Sequence, residues 1–156
     1  MKKAAFAAGC FWGVESVFRE IEGVIDARVG YMGGNVNEPT YKLVCTNKTG
    51  HAETIEISYA PDLVSYERLL ETFWKMHDPT QLNRQGVDVG SQYRSMIFYY
   101  DEGQKEEALD SKKKLQASGK YDMPIVTEIV PASKFWPAEE YHQRYNEKHG
   151  IKSCHI

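Results

Sequence analysis

Lys3-Ala4-Ala5-Phe6-Ala7-Ala8-Gly9-Cys10-Phe11-Trp12-Gly13-Val14-Glu15 decides the reading of this chain. Ala4 to Ala8 are continuously apolar, which predicts a central strand over Lys3 to Ala8 that is covered on both faces. Val14, Val17, Phe18 and Ile21 then recur at helical spacing. They predict a helix over about residues 13–22 that leaves Glu15, Arg19 and Glu22 on its free side, with Gly23 as its cap. Cys10 therefore falls at a strand-to-helix junction between two glycines, which accept a tight bend or a close contact. Unpaired amides at a helix start favour a thiolate, so the pKa of Cys10 is expected to fall. Phe11 and Trp12 would wall an apolar pocket beside the sulfur. The plain alternative is a buried, inert cysteine with Phe11 and Trp12 as core. An export or lipid signal ending at Cys10 is the other reading, but its apolar run has only about half the length such a signal needs.

The 156 residues are 42% apolar and 26% charged, which suits one domain with its own core. A formal charge of -3 provides no basic footprint for nucleic acid. No stretch is long enough to span a membrane, and no targeting segment is recognised, so the cytoplasm is the expected compartment. Three widely spaced cysteines, Cys10, Cys45 and Cys154, match neither a disulfide framework nor a zinc site. Free thiols in a reducing compartment are inert or catalytic. There is no P-loop, dinucleotide fingerprint or repeat, and no cofactor or metal is expected.

Along the rest of the chain, Val24 to Tyr31 reads as a strand, ended by Gly33-Gly34. Residues 35–48 form a long polar loop of the kind that carries function. The strand over residues 50–59 alternates so that His51, Glu53, Ile55, Ile57 and Tyr59 share a face. A carboxylate there is either frayed into solvent or a partly desolvated acid with a raised pKa. A helix is predicted from Ser65 to Met76, stopped by Asp78-Pro79, and residues 80–92 make a second polar loop. A strand over Met96 to Tyr100, a charged helix over Asp101 to Gly119 and a strand over Ile125 to Val130 follow. A helix of about 11 residues should begin at Pro137, which suits its first position. This order describes an α+β or two-layer α/β domain with a mixed sheet. Residues 1–149 are expected to form one domain, the catalytic one if Cys10 is active, and 150–156 a mobile tail carrying Cys154.

On residue pattern alone the chain is a thiol enzyme of unknown substrate. Its motifs, however, closely resemble those of the A-type peptide methionine sulfoxide reductases. They are Gly9-Cys10-Phe11-Trp12-Gly13-Val14-Glu15, Gly30-Tyr31, Gly33-Gly34, Pro39-Thr40-Tyr41 and Thr49-Gly50-His51-Ala52-Glu53. Further along come His77-Asp78-Pro79-Thr80, Gln85-Gly86, Asp88, Gly90, Gln92-Tyr93-Arg94-Ser95 and Ala138-Glu139-Glu140-Tyr141-His142-Gln143. The resemblance spans residues 4 to about 146. It implies a two-layer sandwich with a ferredoxin-like core and reduction of the S epimer of methionine sulfoxide, free or in proteins. It places the nucleophile on Cys10, the methyl-pocket aromatics on Phe11 and Trp12, and the acid on Glu53. It also places oxygen-binding hydroxyls on Tyr41 and Tyr93, an assisting carboxylate on Asp88 and a recycling thiol on Cys154. The implied cycle runs through a Cys10 sulfenic acid and a Cys10–Cys154 disulfide to a thioredoxin-like dithiol. A monomer is expected. Many members carry a longer, glycine-rich tail than the Lys152-Ser153-Cys154-His155-Ile156 end of this chain. Cys45 is taken as a bystander and His51 as structural.

The alternatives are a cysteine hydrolase using Cys10 with His51, His77 or His142 as base, and a non-catalytic metal or redox module built on Cys154, His155 and His149. The hydrolase predicts ester or amide turnover without reductant. The module predicts stoichiometric zinc.

Overall fold

The computed structural model describes residues 1–151. In chain order the elements are β1 (Lys2–Ala7), α1 (Phe11–Arg19), β2 (Val24–Met32), α2 (Tyr41–Val44), β3 (Ala52–Tyr59) and α3 (Tyr66–Lys75). They continue as β4 (Arg84–Gln85), β5 (Asp88–Val89), β6 (Met96–Tyr99), α4 (Glu102–Ala117), β7 (Glu128–Pro131), β8 (Trp136–Pro137) and α5 (Tyr145–Lys148). Local chemistry starts the longer helices. The Ser65 side chain accepts from Arg68 N to cap α3, and Asp101 accepts from Gln104 N to cap α4.

Six strands form one mixed sheet in the order β7-β6-β1-β3-β2-β8. Within it, β1-α1-β2-β3-α3-β6 is a split βαβ unit with spatial order β6-β1-β3-β2, the ferredoxin-like arrangement. The chain then runs through α4 to β7, which pairs parallel to β6. The apolar β1 is central, as its composition predicts, between β3 and β6. The helices α1, α3 and α4 pack on one face around Phe6, Phe18, Ile55, Phe73 and Ile97. Phe6 stacks on both Phe18 (5.3 Å) and Phe73 (5.2 Å), joining strand to two helices. The opposite face is covered by Val130, Ala132 and Phe135 from the chain after β6. That cover explains why β3 is buried on both faces, including Ala52, Thr54 and Glu56.

Two local expectations are corrected. The helix expected from Pro137 does not form. Pro137 lies in β8, paired with Gly30, and is followed by a 3-10 turn at Glu140–His142, a left-handed break at Arg144 (φ +54°) and the single turn α5. Long-range hydrogen bonds take precedence here. Gln143 accepts from Val29 N (2.9 Å) and donates to Val29 O (2.9 Å), while Arg144 N donates to Glu15 Oε1 (2.6 Å). The same contact corrects Glu15, which the helical pattern leaves on a free face but which is 1% exposed.

Candidate active site

Gly9 adopts φ +95° and turns the chain from β1 into α1. Cys10 then occupies the N-cap position without a side-chain capping bond. The amides at a helix start lack intrahelical partners, and here they divide between two functional groups. Phe11 N donates to Glu53 Oε1 (3.3 Å), whereas the Trp12 and Gly13 amides favour the Cys10 thiolate. Glu53 reaches this point from β3, where it pairs in register with Tyr31 of β2. Acid and thiol are therefore brought to one helix terminus by three strands and a helix.

Glu53 is 1% exposed, and its second oxygen, Oε2, has no partner among the described residues. Burial pushes its pKa up to about 8, the Phe11 amide pulls it back, and the nearby charge of Asp88 pushes it further up. At neutral pH this carboxyl holds a proton. Cys10 departs from the expectation of a lowered pKa. Desolvation and the Glu53 charge raise it to about 12, outweighing the helix amides. Protonating Glu53 removes one of the influences that holds the Cys10 proton in place.

Two phenols face the pair. Tyr41 begins α2, whose N-cap Thr40 accepts from Leu43 N. Glu139 Oε2 accepts from Tyr41 N (3.1 Å), and Glu139 Oε1 accepts from the Tyr31 hydroxyl (2.9 Å). Tyr93 ends the 3-10 turn Ser91–Tyr93 after the second polar loop. Desolvation and nearby carboxylate charge raise the pKa of Tyr93 to about 12, despite a hydrogen bond from Tyr41, and Tyr41 is raised further still, chiefly by burial. Both hydroxyls remain protonated donors at neutral pH. Asp88, half-buried in β5, acts on Glu53, Cys10 and Tyr93 through its charge.

The aromatic wall is more extensive than the sequence pattern indicates. Phe11 is buried and Trp12 half-buried. The Trp12 indole N–H donates to His142 Nδ1 (2.9 Å), and Tyr145 stacks on the indole at 3.7 Å and 9°. Desolvation lowers the pKa of His142, so the ring is neutral with its proton on Nε2. His142, Glu139 and Tyr145 hold the site from behind. Glu139 and His142 lie within a quoted motif, but the pattern there reads as an amphipathic helix and does not show what they touch. Cys10, Trp12 and Asp88 open on a cleft of about 750 Å3. Cys45 is exposed at the end of α2, and Cys154 lies outside the described residues.

The histidines argue against a hydrolase. His51 engages both ring nitrogens, with Gly34 N (3.0 Å) and Val36 O (2.7 Å), which makes it structural. His77 likewise engages Phe73 O and the Ser95 hydroxyl, both at 2.7 Å. His142 commits Nδ1 to Trp12. Among the described residues no cluster of three or more histidine, cysteine or acidic side chains is disposed to hold a metal.

A half-buried thiol beside a protonated carboxyl and two phenols, on a ferredoxin-like core, defines a thiol-dependent enzyme that acts on a substrate in need of a proton. A family profile described as peptide methionine sulfoxide reductase matches residues 2–156, and the chain belongs to that family. It is 56% identical over 156 residues to the MsrA of Acidobacterium capsulatum, covering 100% of both chains. The reduced form of Mxr1 from Saccharomyces cerevisiae superposes with a TM-score of 0.92 at 35% identity, covering 99% of this chain and 91% of that one. Mxr1 in complex with Trx2 matches with a TM-score of 0.65 at 26% identity, over 92% of this chain and 84% of that one. Thiol-dependent reduction of methionine sulfoxide is the activity of this chain, and neither the hydrolase nor the metal-module alternative has support.

Proposed function

We propose that Cys10 is the nucleophile that attacks the sulfoxide sulfur of the S epimer and that Glu53 protonates its oxygen. A sulfoxide oxygen is a poor leaving group, so a proton must arrive as the thiolate adds. The observation that carries this reading is the buried Glu53 carboxyl, protonated at neutral pH and tied to the amide of the residue after Cys10. Negative charge growing on the oxygen is met by the Tyr41 and Tyr93 hydroxyls, neutral donors that avoid the desolvation cost of a buried cation. Phe11 and Trp12 hold the methyl group. Asp88 raises the proton affinity of the pair through its charge. The Cys10 thiol is a weak acid in the resting site, so it gives up its proton only as substrate is engaged, to the Glu53 carboxylate left when that group protonates the oxygen.

Attack bonds the Cys10 sulfur to the substrate sulfur. The sulfur–oxygen bond then breaks, the protonated oxygen bonds to the Cys10 sulfur as hydroxyl, and the sulfur–sulfur bond breaks with its electron pair going to the substrate sulfur. This gives methionine and a Cys10 sulfenic acid. The Cys154 thiol attacks that sulfenic acid, water leaves, and a Cys10–Cys154 disulfide forms. A thioredoxin-like dithiol then reduces the disulfide, a reading supported by the complex of the relative Mxr1 with Trx2. We place this cycle in a monomer in the reducing cytoplasm. No helix among the described residues is long and apolar enough to cross a membrane.

Single-turnover reduction of separated S and R epimers by fully reduced protein tests this reading. One methionine from the S epimer and two thiols lost are expected, with the disulfide abolished by Cys154→Ser and retained in Cys45→Ser. No methionine from the S epimer would overturn the assignment of Cys10. A disulfide that depends on Cys45 would overturn the recycling step.

A further inference from the structure

The cleft at Cys10, with a volume of about 750 Å3, extends to one side of the reacting centre, reaching Cys10, Trp12 and Asp88 but not Phe11, Tyr41, Glu53 or Tyr93. Beyond Cys10, Trp12 and Gly13, its lining includes Met76, Val87 and Tyr121. Val87 is 95% exposed. It takes the second place of the two-residue loop joining β4 to β5, after Gly86, whose φ of +60° suits the first place. Neither the turn nor the core requires an apolar, β-branched side chain at that position.

The loop beneath Val87 is well tied. Asp78 N donates to Gln85 Oε1 (2.9 Å), and Gln85 Nε2 returns a bond to Asp78 O (2.9 Å). Gly86 N donates to Gln81 Oε1 (2.8 Å), and Gly90 N to Asn83 O (2.9 Å). An apolar side chain is thus held in water by a fixed frame at the lip of the cysteine cleft, and covering it costs little ordering. Charge on the walls is balanced, Lys75 and Lys120 against Asp78 and Asp88.

We propose that this lip is a subsite for an apolar residue flanking the oxidised methionine in an extended polypeptide. The flanking side chain packs between Val87 and the Met76–Tyr121 wall. The proposal rests on the Cys10 cleft being the substrate site.

The test compares capped pentapeptides in which the oxidised methionine is flanked by leucine or by serine, alongside N-acetyl methionine sulfoxide amide. Wild type should prefer the leucine peptide by about tenfold in kcat/KM, the order given by partial burial of one valine. The difference should lie in KM. Val87→Ser should reduce the preference to within about threefold while turnover of the small amide is unchanged. No preference in wild type, an undiminished preference in Val87→Ser, or loss of small-amide turnover in that variant alone would overturn the subsite. If wild type fails on the small amide, the reading of the cleft falls instead.

Discussion

Two buried carboxylates lie against the same helix, and they are satisfied differently. Glu15 and Glu53 are each 1% exposed, and burial raises the pKa of both. Glu15 is well supplied with donors, with Arg144 N at 2.6 Å on one oxygen and Arg19 Nε at 3.1 Å on the other. Glu53 has one long bond, 3.3 Å from Phe11 N, and an oxygen without a partner among the described residues. Burial alone therefore does not mark an acid for chemistry. The distinguishing feature is incomplete satisfaction, which is what the proposed acid role of Glu53 requires.

The sharpest way to break this comparison is to mutate both. Glu53→Gln should lower kcat by about 10^2–10^4-fold, the usual contribution of a general acid, with folding intact. Glu15→Ala should leave kcat within about threefold but cost roughly 2–4 kcal/mol of stability, because it strands the partners of a buried charged group. Steady-state kinetics with urea unfolding checks both, and reversed effects would mean the two roles are exchanged.

Stability against pH probes Glu53 further. The folded-state pKa of Glu53 is raised from 4.5 to about 8, so the folded form binds more protons than the unfolded chain between those values. Its contribution to stability is intact below the lower value and is lost as pH rises through the upper one. Glu53→Gln should accordingly gain about 1–3 kcal/mol on wild type at pH 8 and almost nothing at pH 4. Thermal unfolding at both pH values measures this, and an equal effect at both would contradict it.

The thiol offers a smaller effect. The Glu53 charge raises the Cys10 pKa, so Glu53→Gln should shift the midpoint of Cys10 alkylation to lower pH. Iodoacetamide rates in a Cys45→Ser, Cys154→Ser background read this directly. The smallest expected effect is at His142. Replacing it with phenylalanine removes the acceptor for the Trp12 N–H and should raise KM about three- to tenfold, the order of one lost hydrogen bond. Asparagine should restore part of the loss, and a change confined to kcat would assign His142 a different part.

The sequence was legible where neighbours in the chain are neighbours in space. The apolar β1 and the junction at Cys10 follow from local periodicity, which also puts Glu53 on one face with Ile55 and Ile57 but leaves open whether its carboxyl reaches solvent. The burial of Glu15 and the contact of His142 are not legible in the sequence because their partners are distant. Arg144 lies 129 residues from Glu15, and His142 lies 130 from Trp12. Helical spacing places Glu15 on a free face and His142 in a regular helix, and only the return of the chain across α1 reverses both. The direction of the Cys10 shift is not legible for a related reason. Helix amides can be inferred from sequence, whereas the desolvation and the carboxylate that outweigh them belong to the assembled site.

The most direct measurement is a carbon-13 NMR titration of the side-chain carboxyls in glutamate-labelled protein, with Glu53 assigned through Glu53→Gln. The account predicts a Glu53 midpoint near pH 8. A midpoint near the ordinary 4.5 would mean that the carboxyl is ionised at neutral pH, and the claim that it supplies the proton beside Cys10 would be contradicted.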